Sequence, residues 1–275
     1  MKNILEIMLE ILSYDFMQNA IVAGLLVAIA SGIMGSFIVV NKLSGLAGGI
    51  AHASYGGIGL ACFFGFSPLL GSLGFAIVCA LLMGFLTYKN RRHADTLISV
   101  IWATGMAIGV ILTDLTPGYS GDMMSFLFGS ILTVPTDLLY IMFFLLLVII
   151  CTVSFLFKRL LSISFDPEFA LSLGVPVLPL YMVLIILTTF TIVMAVQAVG
   201  LILVLALLTL PAFIAETYSK NLFSMILISI GISVFLVLSG LFLAYYLNFV
   251  TGPVIILLGV LLYFMHLLIK RFIVR

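Results

Sequence analysis

Charge is what this sequence has least of: 8% of its 275 residues are Asp, Glu, Lys or Arg, and 64% are hydrophobic. An ordinary soluble domain carries about 25% charged residues, so that class is excluded and a polytopic membrane protein is expected. Cysteine is scarce too. Cys62, Cys79 and Cys151 lie far apart in apolar runs, which leaves neither a disulfide framework nor a zinc knuckle and makes them small core residues. No GxxxxGK[ST] loop occurs, so if ATP drives this protein another chain must bind it. HExxH, GxSxG and an acidic pair inside an apolar run are also missing, which leaves no hydrolytic centre. A basic n-region with a cleavage site is absent, so insertion is expected to start from the first spanning helix. The net charge of +1 says nothing about nucleic acid, and no nucleic-acid partner is expected of a polytopic membrane protein.

Apolar runs of membrane length fill the chain instead. At about 20 residues per crossing, spans fall at 16–40, 44–64, 69–88, 96–114, 136–157, 178–196, 199–216, 221–246 and 252–270. The fold class is therefore all-α, with nine transmembrane helices. Eight is the alternative, if the block 178–217 is one long kinked helix; its most polar point, Gln197-Ala198-Val199-Gly200, is the expected break. Residues 1–15 mix Ile4, Leu5, Met8, Ile11 and Leu12 with Glu6, Glu10 and Asp15 and read as an interfacial segment at the lipid surface, ahead of a single transmembrane domain over 16–275. With the N-terminus outside and the C-terminus cytoplasmic, ten of the eleven Lys and Arg fall on the cytoplasmic side and only Lys2 outside. Acids gather outside, at Asp114, Asp122 and Asp137 among others, and nearly all of them avoid the spans.

One stretch stands out within the spans. Lys42–Cys62 holds Gly45, Gly48, Gly49, Gly56, Gly57 and Gly59 at spacings of three and four, which on a helix bares one face of backbone for close packing. His52 lies on that face, four residues from Gly48 and from Gly56. Two readings stand: a packing histidine that hydrogen-bonds across an interface, or an ionisable group lining a polar path at membrane depth.

Of the connections, the external one over 115–136 has a short apolar centre flanked by Gly and Pro and reads as a partly inserted lid. The cytoplasmic segment 158–178 is more informative. Asp166 can cap a helix with Pro167 at its first position and Glu168 in its first turn, and Gly174 with Pro176 can stop it. The product is a helix of about two turns, roughly 10 Å long, carrying Phe169, Ala170, Leu171 and Leu173. Such a helix is expected to dock on another protein ahead of the membrane surface. His93 reads as a solvated loop residue, His266 as an interfacial one facing headgroups, and the methionines as apolar filler.

Several segments together resemble the permease subunits of the ABC-3 family, bacterial and archaeal transporters for zinc and manganese uptake. They are GGIAHASYGGIGLA at 48–61, ADTLISVIWATGMAIGVIL at 94–112, FLFGSIL at 126–132, FDPEFALSLGVPV at 165–177, QAVGLILVLALLTLPAFIAE at 197–216 and SGLFLAYYLNFVTGP at 239–253. The resemblance implies a multi-pass protein of the plasma membrane that is not itself an enzyme. Its implied partners are a second copy in a homodimer, two ATPase chains and an external metal-binding solute-binding protein. It makes 165–177 the coupling helix, with Asp166, Glu168, Phe169, Ala170, Leu173 and Gly174 at the ATPase. No permanently bound cofactor is expected; the cargo is a divalent transition metal ion. Many family members carry an aspartate four residues before the histidine, where this chain has Gly48. Loss of a hard oxygen ligand favours zinc ahead of manganese or iron, with His52 as the remaining path residue. The alternatives are a siderophore or cobalamin importer permease, whose relatives are typically longer, and an ion-driven carrier, which would place acids inside the spans.

Overall fold

The structure, a computed structural model, describes residues 14–90, 93–116, 129 and 131–273. The expected interfacial segment before Tyr14 and most of the external lid lie outside the described residues. Nine helices among those described are long and apolar enough to cross a membrane. They are α1 (Asp15–Val40), α2 (Ser44–Phe64), α3 (Pro68–Lys89), α4 (Ala94–Asp114), α5 (Thr136–Phe165), α7 (Val177–Val199), α8 (Leu201–Tyr218), α9 (Leu222–Leu247) and α10 (Thr251–Ile273), with the short α6 (Pro167–Ser172) after α5. A single 3-10 turn, Ile131–Thr133, precedes α5.

The eight-helix alternative fails at Gly200. Its backbone sits at φ 81°, ψ 164°, a region open essentially to glycine alone, and this one residue separates α7 from α8. One boundary differs from expectation. α5 does not end before Lys158 and Arg159, as the span over 136–157 suggests, but continues to Phe165. Leu160 and Ile163 explain why: they keep an apolar stripe buried beyond the charged pair. Asn41, in the α1–α2 turn, donates from Nδ2 to Ser164 Oγ at 2.9 Å and anchors that extension.

Two groups of three helices, α2–α3–α4 and α8–α9–α10, each pack among themselves. Between them run α1, against α8 and α9, and α7, against α2 and α3, while α5 leans on both. α1 and α2 are therefore the most enclosed helices. Helices that are apolar all round need no amphipathic stripe here, because lipid covers whatever the bundle does not.

Candidate functional site: a glycine-lined histidine and a docking helix

The second helix is built from residues too small to fill space, so its neighbours come to it. A methyl group on Gly56 would lie 2.6 Å from the carbonyl oxygen of Gly105, and one on Gly105 would lie 2.9 Å from Cα of Ala53. Gly59 meets Gly109 in the same way one turn on. α2 and α4 thus touch backbone to backbone. Gly57 faces elsewhere, onto Gly71 of α3, and Gly49 presses on Ile98 and Met83. The glycines consequently do not form one face, as the sequence spacing suggested, but serve two neighbours at once: adjacent positions on a helix point about 100° apart. Gly48 has only ordinary contact, with Leu205 at 3.5 Å, and a methyl on Gly45 would meet nothing within 4 Å in this chain.

His52 lies near the middle of this helix, about 12 Å from its start, and is half-buried. Its ring stacks on the indole of Trp102 from α4, with centroids 4.6 Å apart and planes 24° from parallel. Trp102 in turn donates its Nε1–H to Met106 Sδ at 3.3 Å. The Nδ1 atom of His52 is buried without a hydrogen-bond partner. Among the described residues, no three His, Cys, Asp or Glu side chains come together to hold a metal ion.

Recesses open at the two ends of the bundle. One, of about 390 Å³, lies between the starts of α3 and α5 and the end of α7, where Ser67, Thr133, Asp137 and Gln197 supply polar groups. Gln197 also donates to Ser72 Oγ at 3.3 Å. The other, of about 540 Å³, is lined at the opposite end by Asn41, Lys42, Tyr88, Asp95, Ser164 and Tyr181. Sequence reasoning used Gln197 only as a helix breaker; polarity inside an apolar block was the signal for a second role.

His93 is exposed at the start of α4. His266 departs from expectation. It is buried rather than facing headgroups, with Nδ1 2.9 Å from the Tyr218 hydroxyl and Nε2 3.4 Å from that of Thr217.

At the end of α5 the chain turns sharply into α6. Asp166 Oδ1 accepts the N–H of Phe169 at 2.9 Å, Pro167 opens the helix, and Gly174 leaves it at φ 76°. Phe169, Leu171 and Leu173 are 58%, 63% and 64% exposed, whereas Ala170 is fully buried. Ala170 was expected on the docking surface; it instead faces the chain's own body, because an anchor is needed on the inner side of so short a helix. Asp166, Glu168 and Gly174 stand at the surface with the exposed apolar residues.

Comparison with known proteins places this architecture. The sequence matches the ABC 3 transport family over residues 13–270. A Synechocystis membrane protein, slr2045, is 47% identical over 267 residues, covering 97% of this chain and 95% of its own. The manganese transport system membrane protein MntC of Listeria monocytogenes is 31% identical, covering 94% of this chain and 92% of its own. Among solved structures, PsaBC from Streptococcus pneumoniae in complex with Fab superposes with a TM-score of 0.86 at 30% identity, over 96% of this chain and 95% of that one.

Proposed function

This chain belongs to the ABC 3 transport family, and from that premise we propose that it imports a divalent transition metal ion, zinc ahead of manganese, past His52. It is a permease subunit and not itself an enzyme; a separate ATPase supplies the driving force. The observation that carries the reading is His52 itself. An imidazole half-exposed near mid-depth, with an unpaired buried nitrogen, is costly in hydrocarbon. In this reading a second copy of the chain covers the exposed part of the ring, so that two histidines lie along a shared path in the homodimer.

Zinc is favoured by what surrounds the ring. The ring stacks on an indole, Gly48 stands one turn away where an aspartate would add a hard oxygen ligand, and the described residues form no cluster of three His, Cys, Asp or Glu, a setting that suits a nitrogen-seeking ion better than one that seeks oxygen. Manganese is the competing reading, supported by the name of the Listeria relative. In this reading the N-terminus is external, an external binding protein delivers the ion to the recess near Gln197, and α6 docks on the ATPase through Phe169, Leu171 and Leu173, with Asp166, Glu168 and Gly174 beside them.

The deciding experiment is zinc and manganese uptake in parallel by the reconstituted transporter, normalised to assembled complex. His52→Ala and His52→Gln should each lower uptake about tenfold or more while ATP hydrolysis persists, because no neighbouring group replaces the imidazole nitrogen. Wild-type uptake by His52→Ala would return His52 to a packing role.

A further inference from the structure

We propose that Trp102 is a positioning residue: its indole fixes the plane of the His52 imidazole, so that an ion in transit meets a pre-aligned nitrogen. This rests on the reading of His52 as a path residue. The chain contains one tryptophan, and it sits on α4 directly against that ring rather than at an interfacial belt.

The geometry explains how the hold works. On α2 the positions one turn either side of His52 are Gly48 and Gly56, which have no side chains, and nothing hydrogen-bonds its Nδ1. Gly48 and Gly56 therefore add no side-chain constraint to the rotamers that the helix backbone allows the imidazole. Stacking on Trp102 supplies the missing constraint: a centroid distance of 4.6 Å with nearly parallel planes is an offset stack. The indole is itself held twice. Its N–H is committed to Met106 one turn along α4, and the α4 backbone is locked to α2 three residues later, where Gly105 meets Ala53.

A transient site needs this more than a resident one does. Among the described residues no three His, Cys, Asp or Glu side chains gather to form a metal cage, so no cage of this chain sets the ring's orientation, which has to exist beforehand. Binding a cation also draws electron density from the imidazole, which strengthens its contact with the electron-rich indole face. The stack therefore favours the loaded state over the empty one.

Two variants separate this role from mere packing. Trp102→Phe keeps an aromatic face; Trp102→Leu keeps apolar bulk without one. In reconstituted transporter, Trp102→Leu should raise the KM for zinc about two- to tenfold, the range expected for an aromatic pair, and Trp102→Phe should restore most of the loss. Combined with His52→Ala, Trp102→Leu should add nothing. Equal losses in Trp102→Phe and Trp102→Leu, or the same loss with and without His52, would mean that the indole only packs. Because the tryptophan is unique, a direct readout exists as well. Zinc chloride added to the full chain in lipid nanodiscs should change Trp102 emission saturably, and His52→Ala should abolish the change. Unchanged emission from chain that imports zinc once assembled with the ATPase in sealed liposomes overturns the proposal. Normal uptake by His52→Ala overturns the underlying functional reading and the positioning role with it; normal uptake by Trp102→Leu beside an impaired His52→Ala overturns the positioning role alone.

Discussion

The Tyr218 hydroxyl lies 2.9 Å from Nδ1 of His266 and ties the last residue of α8 to the last turns of α10. Thr217 reaches the other ring nitrogen at 3.4 Å. A neutral imidazole has one donor and one acceptor nitrogen, so both contacts are satisfied at once whichever tautomer is present. Tyr218→Phe should cost about 1 kcal/mol, and His266→Leu more, since it removes both contacts of a buried ring at once. Thermal unfolding of the purified chain in detergent measures both; an unchanged midpoint in His266→Leu would show that the latch is unimportant. Metal uptake should persist in Tyr218→Phe, because the latch joins the ends of α8 and α10 while His52 lies midway along α2.

The glycines of α2 and α4 should separate cleanly by context. Gly105→Ala drives a methyl into the backbone of Ala53, and Gly59→Ala meets Cα of Gly109 at 2.6 Å. Backbone cannot rotate away, so each should cost roughly 1–3 kcal/mol. Gly45→Ala enters open space on a helix and should be neutral or stabilising by about 0.5–1 kcal/mol. The same unfolding assay ranks them; equal effects at positions 45 and 59 would contradict the packing described.

On α6 the exposed and buried residues should fail differently. Leu171→Asp should leave the folded chain as stable as before and lower transport-coupled ATP hydrolysis, since it changes only the outward surface. Ala170→Trp should destabilise the α6 region itself, because the side chain points inward where there is no volume to accept it. Co-purification with the ATPase distinguishes the two, and normal coupling in Leu171→Asp would move the contact elsewhere.

Orientation rests on the distribution of basic residues. Single cysteines at Ser67 and Asn90, in a background lacking Cys62, Cys79 and Cys151, should react from opposite faces of intact cells, Ser67 from outside. Labelling of both from one side would refute the topology.

Most of the helical layout is legible in the sequence because hydrocarbon imposes a length and the basic residues mark where each crossing ends. The overrun of α5 was hidden because Lys158 and Arg159 look like an end, and only the burial of Leu160 and Ile163 shows the stripe continuing. His52 is conspicuous from its chemistry. Trp102 is not, since its role depends on α2 and α4 approaching closely enough for two rings to meet, and a pattern along one helix says nothing about which neighbour it touches. The inward turn of Ala170 and the burial of His266 escape for the same reason: helix periodicity gives relative direction around an axis, while the direction of the protein body is set by the assembled bundle.

The uninterrupted course of α5 has a mechanical consequence. Its thirty residues contain neither glycine nor proline, so it is a stiff rod about 45 Å long. Thr133, Val134 and Pro135 lead into it at the recess near Gln197, where Asp137 and Ile141 belong to the wall, and Ile163 and Ser164 belong to the wall of the other. α6 is fastened to its far end. A tilt of 5° about the rod's midpoint would swing its two tips by about 2 Å in opposite directions, so a displacement of α6 would shift a wall of both recesses together for as long as the rod stays straight.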